Sequence, residues 1–429
     1  GGAQAGAGDA PLDGLARVVL RHTDGARAQD AVAHRRLLVL VEPGPTGDVG
    51  VLNTASVEEI NDGLLAGLAL ALIEWRRRAG IDSTSALLQL EGHGREEAVI
   101  PGADLSRTVG WFTAAFPISL DLSEVDLGDA FAGGDSAGRA IKAVKEQLLA
   151  IPDKGVGYGL LRYLNEDTRA VLSRFAGGQV SFNYLGRVVA EDLPAGVEGL
   201  GWLPAGDFAN VSAPEDVDMP ANKVVDINAI VNDGADGAVL EASFAYPVGA
   251  IDGESVETFA QIWVEALTAL AEHSRSVGAG GLTPSDVPLV SVSQRDIDGF
   301  ENRFGTVTDI WPLAPLQSGL LFHAMLAESS VDLYSVQMIL TLSGKVDADR
   351  LRTAAQGIID RYANLRTAFT ADDDGTPVQI VLEDVPVPWR NIDLSDIAAV
   401  DREAALNEVL TADQATHFDM ASPPLIRFT

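Results

Sequence analysis

Apolar and polar positions along the 429-residue chain alternate with two periods, one helical and one extended, in mixed order. The first clear segment is 56–80. Ile60, Leu64, Leu68 and Leu72 recur at helical spacing, and Ser56 with Glu59 has the spacing of a capping box. Arg76 to Arg78 and then Gly80 supply a cationic last turn and a stop. The short run SALLQL predicts a strand leading into Glu91. AGRAIKAVKEQLLAI predicts a helix with Ile141, Val144 and Leu148 on one face. The β-branched and aromatic residues of QVSFNYLG, KVVDINAIV and AVLEASFAYP predict three strands. ESVETFAQIWVEALTALAEHSR predicts an amphipathic helix, with Val256, Phe259, Trp263, Leu267 and Leu270 at helical spacing. The first fifty residues, rich in Ala, Gly and Asp, carry little pattern.

The pattern lapses over 276–300, where SVGAGGLTPSDVPLVSVSQRDIDGF is rich in Gly, Ser and Pro and predicts an interdomain linker. Beyond it DIWPLAPLQSGLLFHAML opens a second unit. YSVQMILTLSG predicts a strand, DADRLRTAAQGIIDRYANLRTAF a helix running into another strand, and FTADDDGTPVQIVL a hairpin with Asp-Gly at its tip. Mixed helices and strands on both sides of the linker make the expected fold class α/β or α+β.

Composition narrows the function. Apolar residues make up 47% of the chain, enough for a real core, and 62 acids against 30 bases give a formal charge of −32. That excess repels phosphate backbones and anionic lipid, so nucleic-acid and membrane-surface roles are not expected. The absence of cysteine excludes disulfides, thiolate nucleophiles and Cys-based metal sites. With no signal-peptide pattern and no apolar run of about 18 residues, a cytoplasmic protein is the expectation. The chain starts without Met and ends at PPLIRFT in an apolar, strand-like run, and so reads as cut at both ends.

Among the candidate chemistry, Glu91 stands where a strand ends, with Gly92 and Gly94 to let the backbone turn and His93 and Arg95 beside it. A carboxylate so placed suits general acid–base work, although a solvated turn explains the local sequence as simply. No second His stands at metal-ligand spacing from His93, so no metal site is expected. GDSAG (134–138) matches the nucleophile-elbow pattern but follows a loop rather than a strand, so Asp135 or Ser136 is read as capping the next helix. GVGYG (155–159) lacks the Lys-Ser/Thr of a phosphate loop, and DDDG (372–375) lacks calcium-ligand spacing. Asn183 and Tyr184, as neighbours in a strand, point to opposite faces.

These pieces align with one family. EGHGRE (91–96), DLSRTVGWFT (104–113), PDKGVGYG (152–159) and FNYLGR (182–187), in that order, resemble successive motifs of the epimerization domain of nonribosomal peptide synthetases, and INDGLL (60–65) resembles another. After the linker, WPLAPLQSGLLFHAML (311–326) and RYANLRTAF (361–369) resemble the first two motifs of a condensation domain, with Tyr362 and Ala363 where His-Glu is common. HFDMASPPLIRF (417–428) resembles the region just before the condensation active site.

The resemblance implies chloramphenicol-acetyltransferase-like lobes, both domains incomplete. Residues 1–275 would be the C-terminal part of an epimerization domain, 276–305 a linker and 306–429 the N-terminal part of a condensation domain. It also implies a reaction, inversion from L to D at Cα of an aminoacyl or peptidyl thioester, followed by condensation with the next residue. The substrate would ride on the phosphopantetheine arm of a carrier protein, with no cofactor bound directly. Glu91 would be one acid–base residue. His93, Arg95, Arg107, Tyr158, Asn183 and Tyr184 would line or shape the substrate tunnel. The family's other base sits in a His-His-x-x-x-Asp-Gly motif that none of the six histidines here provides, so the fragment is expected to be inactive alone. The alternative is a noncatalytic module on the same fold that docks carrier proteins.

Overall fold

The structure, a computed structural model, describes residues 17–23, 34–42, 57–110, 112–188, 221–234, 237–276, 278–326 and 335–429. The chain divides into two compact units, residues 1–280 and 281–429. Both mix helices with a sheet, as the two periods require.

The first unit is a seven-stranded sheet backed by helices. Its strands are β1 (Arg17–Thr23), β2 (His34–Glu42), β3 (Ser85–His93), β4 (Thr113–Asp121), β5 (Val180–Val188), β6 (Val225–Gly234) and β7 (Gly237–Pro247). Their order across the sheet is β1-β2-β7-β6-β5-β3-β4. β5 runs parallel to both β3 and β6, while the remaining pairs are antiparallel. The helices are α1 (Val57–Arg78), α2 (Leu127–Phe131), α3 (Asp135–Leu149), α4 (Val156–Gly159), α5 (Glu166–Leu172) and α6 (Gly253–His273).

α1, α3 and α6 pack on one another, and their apolar sides share a core with Leu88, Leu90, Phe182, Ile227 and Phe244 of the sheet. α1 buries more than its predicted stripe, for Leu65, Ala66 and every residue from Leu68 to Ile73 are buried as well. Such a helix is enclosed rather than merely docked. Trp263 of α6 anchors the layer. Its indole packs edge-on to Phe182 and Phe244, and its Nε1–H donates to the Leu64 carbonyl at 3.2 Å. Gly67 permits this approach, since a Cβ there would stand 2.7 Å from Leu267 Cδ2.

The second unit holds a three-stranded antiparallel sheet in the order β8 (Val307–Pro312), β10 (Pro377–Leu382), β9 (Thr367–Ala371). Its helices are α7 (Gln294–Phe304), α8 (Pro315–Leu326), α9 (Ala348–Arg361) and α10 (Arg402–Gln414). Ile310, Ile359, Ala368 and Ile380 form its centre. The β9–β10 hairpin turns where Asp-Gly predicts, with Gly375 at φ 83° and the Asp372 N–H on the Thr376 carbonyl.

Several expectations need correction. Residues 17–23 and 34–42 are strands, although the first fifty residues show little pattern. The capping box at Ser56 falls outside the described residues. α3 is capped by neither Asp135 nor Ser136. Its N-cap is Gly134, and the Ser136 N–H donates to Asp129 Oδ2 at 2.8 Å, because α2 immediately upstream delivers that carboxylate. The stretch read as a linker is structured from 284 onward. Ser293 and Asp296 form a reciprocal capping box on α7, and Val287, Ile297 and Phe300 are buried in the second core. Finally, residues 335–343 of YSVQMILTLSG pair with no strand among the described residues, and Val336, Met338, Ile339 and Leu340 are exposed. Apolar, β-prone residues make a strand only where a ladder partner is present.

Among the described residues no helix is long and apolar enough to cross a membrane, and no cluster of His, Asp and Glu could hold a metal ion.

Candidate functional site

Period-two alternation places chemistry and core one residue apart on β3, β5 and β6. Leu88 and Leu90, Val180 and Phe182, Val225 and Ile227 are buried towards the helices. The residues between them, Gln89, Glu91 and His93, Ser181 and Asn183, Asp226 and Asn228, therefore point to the opposite face. Register lines them up. Gln89 pairs with Ser181 and Ser181 with Asp226, while Asn183 pairs with Asn228.

Glu91 is not in a turn. β3 continues through it to His93, paired with β4 as Glu91↔Ala115 and His93↔Thr113. Glu91 is half-buried, and its carboxylate accepts no hydrogen bond from the described residues. His93 is tied down. Its Nε2 lies 2.6 Å from Asn183 Oδ1 and its Nδ1 3.2 Å from Thr113 Oγ1. The Asn183 amide donates from Nδ2 to Asn228 Oδ1 at 3.0 Å, and Asn228 donates in turn to Asp226 Oδ2 at 3.4 Å. Ser181 closes the line by donating to Asp226 Oδ1 at 2.5 Å.

A cation stands beside this row. Lys223, just before β6, donates to Gln89 Oε1 at 3.3 Å and to the Gly178 carbonyl at 3.1 Å. Burial holds its ammonium below the usual lysine range, and the charges of Asp226 and Glu91 pull it back up. Gly178 is required here, since a Cβ would stand 2.4 Å from the Leu88 carbonyl carbon.

The other anticipated residues divide by role. Arg95 is a clamp. Its Nε and Nη2 donate to the Thr108 carbonyl at 3.2 and 2.9 Å, and its guanidinium lies 5.2 Å from the Phe112 ring centre. With Gly94 N–H on the Phe112 carbonyl and Leu105 N–H on Glu97 Oε1, it holds the long β3–β4 connection in shape. Arg107 sits exposed on that connection and makes none of these bonds. Tyr158 is half-buried against the core. Its loop presses on the end of β4, for Gly155 adopts φ 82° and a Cβ there would lie 2.1 Å from Phe116 Cδ1. Asp153 and Lys154 also adopt positive φ, a conformation costly without glycine. Tyr184 joins the helix side of the sheet, away from Asn183. It packs on the core with its Oη buried and without a partner among the described residues, and burial pushes its phenol above the ordinary range.

The site thus gathers Glu91, His93 and Asn183 on one polar face, with Gln89, Ser181, Lys223, Asp226 and Asn228 added to them. The added residues had a signal in the sequence. Asp226 and Asn228 are polar positions alternating with Val225, Ile227 and Ala229 in a strand too apolar to face water on both sides.

Residues 24–282 and 307–429 match the condensation domain family. The chain belongs to that family. Its condensation-type sequence is similar to two proteins of the linear gramicidin synthase of Brevibacillus parabrevis. One is 37% identical over 378 residues, covering 88% of this chain and 4% of that protein. The other is 34% identical over 374 residues, covering 86% of this chain and 7% of that protein. The chain therefore spans a small part of the length of these relatives. A solved epimerization domain, from the third module of tyrocidine synthetase B, superposes with a TM-score of 0.42 at 25% identity, covering 56% of this chain and 48% of that one.

Proposed function

We propose that this condensation-family chain is part of a nonribosomal peptide synthetase that inverts Cα of a carrier-bound thioester and then condenses it with the next residue. Residues 1–275 correspond to the C-terminal part of the epimerization domain, 276–305 to a connection whose residues from 284 onward pack into the second core, and 306–429 to the N-terminal part of the condensation domain that follows. The partners are carrier-protein domains, and the substrate is an aminoacyl or peptidyl group on a phosphopantetheine arm.

The chemistry follows from the thioester. Its carbonyl acidifies the Cα–H bond. A base takes that proton, the electron pair moves onto the thioester oxygen as an enolate, and a proton returned to the opposite face of Cα gives the D configuration. Each face needs one group able to give and take a proton. Glu91 fills one of these roles, and the observation that carries the reading is its half-buried position on the polar face that also holds His93 and Asn183. The order of the motifs and the match of both units to one family support the same reading.

The test is Glu91→Gln in the parent synthetase. Loading the carrier with its aminoacyl thioester in deuterated solvent should give no Cα deuterium incorporation in the variant, against ready exchange in the parent. Undiminished exchange would remove Glu91 from the mechanism.

A further inference from the structure

The hydrogen bonds that join β6, β5 and β3 form a directed chain. Asp226 is a carboxylate, which at neutral pH only accepts hydrogen bonds. Asn228 must therefore present its amide nitrogen to Asp226, and it does so at 3.4 Å. That choice turns the Asn228 carbonyl oxygen toward β5, where it accepts from Asn183 Nδ2 at 3.0 Å. The Asn183 oxygen is then the atom left to face β3, and His93 Nε2 lies 2.6 Å from it. An oxygen acceptor at that distance requires a proton on Nε2. Both amide orientations follow from the carboxylate at the end of the chain, so they do not depend on telling oxygen from nitrogen in an isolated amide.

We infer that Asp226 is a positioning residue that sets the direction of this chain and so fixes a proton on His93 Nε2. In neutral His93 the lone pair is then on Nδ1, where the Thr113 hydroxyl at 3.2 Å can donate to it. Any proton His93 takes up goes to Nδ1, and the Thr113 hydroxyl turns to accept from it. Ser181 holds Asp226 in place through its 2.5 Å bond to the other carboxylate oxygen. The inference deepens the proposed epimerization site and takes from it only that this face is the working one. Its readout is a nuclear resonance rather than turnover, so either reading can fail without the other.

The experiment is long-range proton–nitrogen NMR on the full chain labelled with 15N-histidine, the His93 signals being assigned by their loss in His93→Gln. The expected result is a single neutral tautomer with the proton on Nε2. Asp226→Asn removes the directing charge. Its amide can donate to Asn228, which reverses both amides and turns Asn183 Nδ2 toward the imidazole. His93 should then lose its single-tautomer pattern and show Nδ1–H signals. Asn228→Asp places an acceptor-only group directly beside Asn183, so it should keep the Nε2–H pattern alone and restore it when combined with Asp226→Asn. An Nδ1–H pattern in the unmodified chain would overturn the inference, as would an unchanged pattern in folded Asp226→Asn. Should Asp226→Asn not fold, the unmodified chain and Asn228→Asp decide the matter, and Nδ1–H signals in either would overturn it.

Discussion

The two faces of the seven-stranded sheet are built from the same strands by residues one position apart, yet they are held together differently. On the helix side, Phe182, Phe244, Phe259 and Trp263 meet at ring distances of 5.7 to 6.2 Å in a dry aromatic cluster. On the other side, Ser181, Asp226, Asn228, Asn183 and His93 are joined atom to atom by directed hydrogen bonds. The first kind of packing is non-directional and is worth a great deal per side chain. The second is worth little net per bond, but it fixes which atom of each group carries a proton. Stability thus rests mainly on one face, while the other fixes the direction of its hydrogen bonds.

The largest expected effect comes from breaking the dry face. Trp263→Ala removes the indole that contacts two aromatic rings and loses the bond to the Leu64 carbonyl. The cost should be about 3–5 kcal/mol, seen as an earlier urea transition for the first unit by far-UV circular dichroism. A variant within 1 kcal/mol of the parent, on the order of a tenth of a typical domain's stability, would mean that the aromatic cluster is not the anchor described.

Ser181→Ala tests the polar face in the same way. Ser181 is only 4% exposed, and its hydroxyl makes the shortest bond to Asp226. Removing a hydrogen bond to a charged group costs about 1.5–3 kcal/mol. The urea midpoint should fall by less than in Trp263→Ala, while the His93 resonances broaden or shift as Asp226 loses its support. A loss as large as that of the tryptophan would show that the two faces do not divide the work as proposed.

The same contrast explains what could be read in advance. Helical and extended periods are set by which residues must leave water, so α1, α3, α6 and β5 to β7 are legible from residues such as Leu64, Val144, Phe259 and Phe182. Glu91, His93 and Asn183 were within reach because their motifs resemble a family's. Which polar neighbours join that trio was not, because Ser181, Asp226 and Asn228, with Lys223 just before β6, are brought together by pairings between residues 45 or more positions apart. Local pattern carries no information on such pairing. The strand expected at YSVQMILTLSG has no ladder partner among the described residues, for the related reason that β propensity does not provide one. The continuous apolar run from Leu37 to Val41 does fit a strand, β2, but stands among Ala, Gly and Asp that hide its borders.

The smallest expected effect lies at Tyr184, an anticipated site residue of β5 that faces the dry side. Its hydroxyl is buried without a partner among the described residues, so Tyr184→Phe removes an unsatisfied polar group while keeping the ring. The change should be neutral or stabilising, by up to about 1 kcal/mol. Its pH dependence is sharper than its size. Burial raises the native phenol above its ordinary value, the nearby Arg187 charge opposing this. Above pH about 10 the unfolded chain loses the Tyr184 proton while the native state keeps it, so the native state binds more protons and stability falls as pH rises. That part of the alkaline decline should be missing in Tyr184→Phe, measured as urea midpoints between pH 9 and 11, on either side of the phenol's ordinary value of about 10. If the two proteins declined in parallel, Tyr184 would titrate like a solvent-facing phenol. It would then belong with Asn183 on the wet face, and the division between the faces would fail at this strand.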